Sequence, residues 1–279
     1  MIRSATPLTF AAVDGLGFAA ARGLLHAAQE SAPFLPTSLG PLLELLHLAE
    51  CGRLPLPPTG SWFADNAAGP MIAALSDNPE FWVNPHDGRM GFIRAVRRGP
   101  DGDARFTGFL MHAKRAATNT ARLPGNAPAQ LAAAMGEMES NIHEHSEAPE
   151  TGLLAFRATQ GTFEFVAVDR GIGILKSLRS CNAYAAITDH GKALTAALSD
   201  GVSRFGEDSR RGHGFRQIFL GLLDLYGTLR FRSGDYALLM DGTSPDLTTA
   251  QLAQKPAVDG FFVSIRCRVG AASERPSHA

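Results

Sequence analysis

The chain lacks a surplus of positive charge: 26 Lys and Arg stand against 27 Asp and Glu, a net charge of −1 over 279 residues. A protein that holds nucleic acid mainly by neutralising phosphates needs such a surplus, so no nucleic-acid partner is expected. Cysteine is scarce and scattered. Cys51, Cys181 and Cys267 lie far apart with no C-x-x-C spacing, which argues against both a zinc site and a disulfide scaffold. Cys181 and Cys267 read as small buried hydrophobes, and a reduced, cytoplasmic setting is the expectation. No apolar run approaches the ~20 residues of a membrane span. Near the start, Asp14 and Arg22 interrupt the apolar residues before a signal-type core forms. Internal repeats and long low-complexity stretches are also missing. What remains is ordinary soluble composition, with 45% hydrophobic and 19% charged residues, enough for one large core or two small ones.

Two regions differ in texture. Residues 1 to about 60 read as helices broken by proline: Phe18 to Gln29 and Leu42 to Ala49 are rich in alanine and leucine, Pro33 and Pro36 separate them, and the run from Leu54 to Gly60 closes the region as a loop. Met90 to Arg97 and Arg105 to Met111 read as two strands, with Gly99-Pro100-Asp101-Gly102 as the turn of a hairpin. From about residue 126 the pattern sharpens. Asn126 and Pro128 are helix-start signals, and Leu131, Met135, Met138 and Ile142 recur at helical spacing. Strands are predicted over Leu153–Thr159 and Thr162–Val168, and then a mostly helical and irregular stretch to Arg211. A helix opens at Gly212-His213-Gly214 and ends at Gly227, and three more strands follow over Thr228–Arg232, Tyr236–Met240 and Phe261–Arg268. The expected fold is α+β, a two-layer sandwich of a mixed sheet with helices on one face, preceded by a smaller, mostly helical region with a β-hairpin. The corresponding division is 1–115 for the front region, 116–270 for the second domain and 271–279 for a flexible tail.

Three short patterns in the second domain carry chemistry. Glu137 and Asn141 stand four apart on one helix edge, beside the buried stripe. An amide oxygen there suits Mg²⁺, and a carboxylate can orient or deprotonate a nucleophile. Asp169-x-Gly171-x-Gly173 follows a strand. Its glycines permit a tight turn and close backbone approach, and its aspartate can accept a hydrogen bond from an exocyclic amine. Gly212-x-Gly214, preceded by Arg210 and Arg211, opens a helix whose free amides favour phosphate oxygens. Each pattern alone has an ordinary structural explanation: a solvated helix face, a capped turn, a glycine loop.

Taken in order and at this spacing, they resemble the GHKL ATPase superfamily over about residues 126–269. The pieces are Glu137-Met-Glu-Ser-Asn141-Ile-His-Glu-His-Ser146, Val168-Asp169-Arg-Gly-Ile-Gly173-Ile174 and Arg211-Gly212-His-Gly214-Phe215, and the run from Tyr226 to Gly234 is similar to the family's helix-to-strand exit. The resemblance implies ATP and Mg²⁺ as cofactors, with Glu137 as general base and Asn141 as the metal ligand. It also implies that Asp169 reads the adenine amine, that Gly171 and Gly173 shape the base pocket, that Gly212 and Gly214 face the phosphates, and that residues 175–211 form a lid. Lys192, Ser203, Arg204 and Arg210 cannot be matched to a particular lid residue. His143 and His145 read as surface or packing residues. His26 and His47 lack the acidic and basic flanks of a phosphoaccepting histidine.

The function these features imply is a regulatory ATPase or a protein kinase of histidine-kinase-like type, with a protein partner or substrate and room for a homodimer. Only residues 271–279 follow the second domain, which points away from gyrase- or chaperone-type machines. The other reading is a nucleotide-binding module that does not hydrolyse, whose front region engages a protein partner.

Overall fold

The computed structural model describes residues 5–25, 33–54, 63–64, 68–95, 99–198, 227–241 and 250–269. Two two-residue strands, β1 (Thr6–Pro7) and β2 (Phe34–Leu35), pair in parallel. The main sheet has six strands, β3 (Phe81–Val83), β4 (Met90–Arg94), β5 (Leu153–Thr159), β6 (Thr162–Asp169), β7 (Thr228–Asp241) and β8 (Gln251–Arg268), in the order β3-β4-β5-β6-β8-β7. Every neighbouring pair in it is antiparallel, so the expected mixed sheet is corrected. β6 and β7 do run in the same direction, as strands joined through helices often do, but β8 lies between them and is antiparallel to both.

Seven α-helices accompany the sheet among the described residues, and the fold is α+β. Side-chain alternation decides which face each set of helices covers. Leu154, Phe156, Phe163, Phe165, Phe231, Val263 and Ile265 point to one face, where they meet α4 (Pro100–Asn119), α5 (Ala127–His145) and α7 (His190–Ala197). Phe92, Ala155, Val166 and Phe262 point to the other, where α2 (Leu39–Glu50) and α3 (Gly69–Asp77) close over them. α1 (Phe10–Ala21) packs on α2 through Val13, Leu16, Leu42, Leu45 and Leu48. The helices of the second region keep to one face together with α4, which the front region contributes in large part, and α1, α2 and α3 of the front region cover the opposite one. Residue 115 falls inside α4, and β4 pairs with β5 along its length, so one sheet runs through both sequence regions.

Several elements differ from the sequence reading. Arg105–Met111 is helix, the middle of α4. Pro100 stands in its first turn with Asp101 and Asp103, which suit the positive end of a helix, so the supposed turn residues are a helix start. Phe109, Ala113, Ala116 and Ala117 then bury one face. In the front region the helix runs over Phe10–Ala21 instead of starting at Phe18, because Thr9 caps it: its hydroxyl accepts the Ala12 amide at 3.2 Å. The two predicted strands between Thr228 and Met240 are one strand, β7, with register shifts at Ser233, Gly234 and Tyr236. The helix expected after Gly214 lies outside the described residues.

A buried charge cluster fastens the front region to the sheet. Arg230 and Arg232 alternate with the apolar Leu229 and Phe231 on β7 and therefore point together toward α1 and α2. Glu44, fully buried in α2, takes Arg230 in a two-pronged contact (2.7 Å from Nε and 2.7 Å from Nη2) and also bonds Arg232. Asp14 of α1 accepts a second bond from Arg230 at 2.6 Å and pairs with Lys255 at 2.8 Å. The Phe10 ring lies 4.7 Å from the Arg230 guanidinium. Burial alone would push the Arg230 pKa down; Glu44 and Asp14 outweigh it and raise the value.

Candidate functional site

Asp169 is the last residue of β6, and the strand's alternation places it on the face shared with Phe165, Ala167 and α5. Only 1% of it is exposed. Its Oδ1 accepts the Gly171 amide at 2.8 Å, and Phe261 of β8 stands opposite the acid in the register, with its amide close enough to favour the charged carboxylate. Its Oδ2 is buried and has no hydrogen-bond partner among the described residues. Burial lifts this acid's pKa to about 7, and the two backbone amides pull only partly against it. A carboxyl group with one oxygen satisfied and the other buried and open costs stability, and is suited to a donor arriving from outside.

The turn after Asp169 is built by close contacts. The Ile172 amide donates to the Ser146 carbonyl at 2.8 Å, which brings the end of α5 onto the turn. A Cβ on Gly171 would stand 2.0 Å from that carbonyl oxygen, so the missing side chain admits α5. Gly173 has φ +73°, and a Cβ there would stand 2.8 Å from Ser233 Oγ. Ser233, carried to this position by the β7 bulge, accepts the Ile174 amide at 2.9 Å and donates to the Gly260 carbonyl at 2.7 Å. Gly260 in turn packs directly on Asp169. The glycine turn and the start of α6 (Gly173–Arg179) are thus locked to β7 and β8.

Asn141 and Glu137 lie farther up α5. Asn141 is five residues before Ser146, about 7.5 Å along the axis, and Glu137 stands one turn beyond it. Asn141 is half-buried, and its Nδ2 is buried with no hydrogen-bond partner among the described residues. An amide flip would present the carbonyl oxygen at the same place. Glu137 is exposed. The buried acid of this helix is Glu139, on the opposite flank, where His143 Nε2 lies 2.9 Å from its carboxylate. No group of three or more His, Cys, Asp or Glu able to hold a metal occurs among the described residues; a cation bound by one amide and by phosphate oxygens needs no such group. Gly212 and Gly214 lie outside the described residues, as do Ser203, Arg204 and Arg210; of the expected lid, α6 and α7 are described. A surface groove of about 610 Å³ at the β3 edge, lined by Phe81, Trp82, His86 and His112 among others, contains none of the predicted site residues.

The motifs assign no role to four residues at this site: Arg170 and Ser233, which lie inside the motif runs, and His47 and Gly260, which lie outside them. Arg170, next to Asp169, reaches the end of α2, with Nη1 at 3.4 Å from the Glu50 carbonyl and 3.5 Å from its carboxylate. His47 of α2 is buried, and its Nε2 lies 3.1 Å from the Asp259 carbonyl, one residue before Gly260. Desolvation, then the Arg232 charge, lowers its pKa to about 3, so the ring stays neutral. A neutral imidazole has a single N–H, and the carbonyl fixes it on Nε2. Arg53 reaches the Asp259 carboxylate at 3.6 Å. A mid-helix histidine in an otherwise apolar run, Leu-Leu-His-Leu-Ala, is the signal that could have marked α2 as a contact helix. No helix among the described residues is long and apolar enough to cross a membrane. No protein-family model, curated protein or solved structure matches the chain.

Proposed function

We propose that the chain binds Mg-ATP and acts as a regulatory ATPase or a protein kinase of histidine-kinase-like type. The observation that carries this reading is the open, buried Oδ2 of Asp169 at the foot of α5. The 6-amino group of adenine is a donor that would satisfy it, whereas guanine has a carbonyl at the same ring position. Asn141 and then Glu137 follow along the helix in the order that a triphosphate laid beside it requires: base, metal, nucleophile. The open amide of Asn141 fits a magnesium ligand, and Mg²⁺ held there would supply positive charge to neutralise the phosphates. Glu137 would orient or deprotonate the attacking water or hydroxyl.

Nucleotide binding is tested by melting. ATP with Mg²⁺ at a hundredfold over its dissociation constant should add about 2.7 kcal/mol, read as a rise of several degrees in Tm, and GTP should give less. No shift at millimolar ATP or ADP in a folded sample would end the assignment.

Turnover is tested separately. Glu137→Ala should keep nucleotide affinity and lower single-turnover phosphate release by about a hundredfold, the low end for a general base because this carboxylate is exposed. Label from γ-labelled ATP appearing on a partner protein supports the kinase, and free phosphate alone supports the ATPase. The exposure of Glu137 also favours a second reading, a nucleotide-binding module without hydrolysis. No turnover in the wild type would select it, whereas unchanged turnover in Glu137→Ala would remove Glu137 as the base.

A further inference from the structure

Among the described residues, the C-terminal half of α2 and the turn that follows it bring the front region to the candidate site, and they meet both strands that frame Asp169. On the β8 side, His47 Nε2 donates to the Asp259 carbonyl at 3.1 Å, and Arg53 reaches the Asp259 carboxylate. The next residue, Gly260, packs against Asp169 and its Oδ1, and the one after it, Phe261, is the register partner of the acid, with its amide close enough to favour the carboxylate. On the β6 side, Arg170 holds the last residue of α2, Glu50. The His47 ring stacks on Phe262 at 6.4 Å between centroids, which fixes the plane of the donor. Asp169 itself faces α5 on the opposite side of the sheet, so none of these α2 side chains stands beside a nucleotide there.

We propose that α2 is the positioning element of the base-reading acid and that His47 is its central residue. By holding the Asp259–Gly260 peptide, His47 sets where the Phe261 amide stands. That amide and the Gly171 amide together favour the Asp169 carboxylate, with the Gly171 bond on Oδ1, and leave Oδ2 turned to the base. The front region thereby sets adenine specificity without touching the base, and a partner that draws α2 away from the sheet would lower that specificity. This inference rests on the nucleotide reading given above, and its test separates the two.

Affinities of the full chain for Mg-ATP, Mg-GTP and inorganic tripolyphosphate are measured for the wild type, His47→Leu and His47→Gln. Leucine keeps much of the volume and removes the donor; glutamine keeps a donor. With the fold verified by circular dichroism, His47→Leu should lower the ATP-over-GTP ratio about tenfold, while tripolyphosphate affinity stays level and His47→Gln recovers most of the ratio. A purely structural role would weaken all three ligands alike, and that result overturns the proposal, as does an unchanged ratio. If His47→Leu does not fold, the double variant Glu50→Ala/Arg53→Ala cuts the exposed contacts at the end of α2 and just after it instead. It should reduce the ratio about threefold, a smaller loss because these pairs are solvent-screened, and no reduction overturns the proposal. A wild type that binds neither nucleotide removes the nucleotide reading and this inference together; a discriminating wild type with an equally discriminating His47→Leu removes the positioning role alone.

Discussion

Asp169→Asn should give a protein that is more stable at pH 8 than the wild type and markedly worse at holding adenine nucleotides. In the folded chain the acid titrates near 7, because burial disfavours its charge, whereas unfolded it titrates at 3.8. Between those values the folded state holds the proton that the unfolded state has released, so stability falls as pH rises through the window and levels off above about 7. Asparagine has no charge to bury. The stability difference between variant and wild type should therefore be small near pH 4, grow toward pH 7 and then plateau. At 1.36 kcal/mol per pKa unit the plateau is at most about 4 kcal/mol. His47 has the opposite slope, since its folded pKa is lowered to about 3 and it loses stability as pH falls below 6.5. It is present in both proteins, so it cancels in the difference. Urea unfolding at pH 4, 6 and 8 measures the stability curve.

Affinity should move the other way. The asparagine can keep its oxygen on the Gly171 amide and would then turn its NH₂ toward the base, setting donor against donor. The lost charged hydrogen bond is worth roughly 1.5–3 kcal/mol, about ten- to a hundredfold or more in ATP affinity. A variant equal to wild type in ATP binding would remove Asp169 as the base reader. Equal stability at all three pH values would mean that the acid is not desolvated as described.

Glu44→Ala should cost about 3–5 kcal/mol, because it removes the acid shared by two buried arginines. Arg232 would be left with a backbone carbonyl, Pro256 O, and Arg230 with Asp14, which Lys255 also claims. The cost arises from stranded charge more than from lost attraction, and a double variant exposes the difference. Glu44→Leu combined with Arg230→Met should be much less harmful than the sum of the two single changes, since it removes opposite charges together. Denaturant midpoints and slopes for the four proteins give the coupling, and simple additivity would show that Glu44 and Arg230 do not act as a pair.

The elements legible in the sequence are those whose cause is local. α5 shows its apolar spacing and first-turn proline, and β5 and β6 show strand-length runs around Gln160-Gly161. The composition of the 99–111 stretch misleads because Gly99-Pro100-Asp101-Gly102 serves equally as a turn or as a helix start; only the continuation through Ala113, Ala116 and Ala117 decides for helix. Asp169 was legible from its place before two glycines, though its open oxygen was not. The contacts that complete its surroundings are long-range. Ser233 meets Ile174 across 59 residues, His47 meets Asp259 across 212, and Arg230 meets Asp14 across 216. No local pattern encodes such pairs. Two hints were nonetheless present: Glu44 is a charge within a helix otherwise made almost wholly of apolar residues, and Arg230 and Arg232 share the face of a strand whose other face is apolar.

The insertion of β8 between β6 and β7 has a consequence for the order of events during synthesis. β6 emerges from the ribosome with β5 already available on one side, and β7 emerges with no neighbour; both then present unsatisfied strand edges until β8 arrives. β8 also brings Phe261 to Asp169 and places Gly260 where Ser233 can reach it. A nascent chain stopped at residue 241 therefore has the motifs of the site without the site, together with two open edges that invite pairing with other chains. The surroundings of Asp169 are completed and the inner edges of β6 and β7 are covered in the same step, when this one strand slides into its slot.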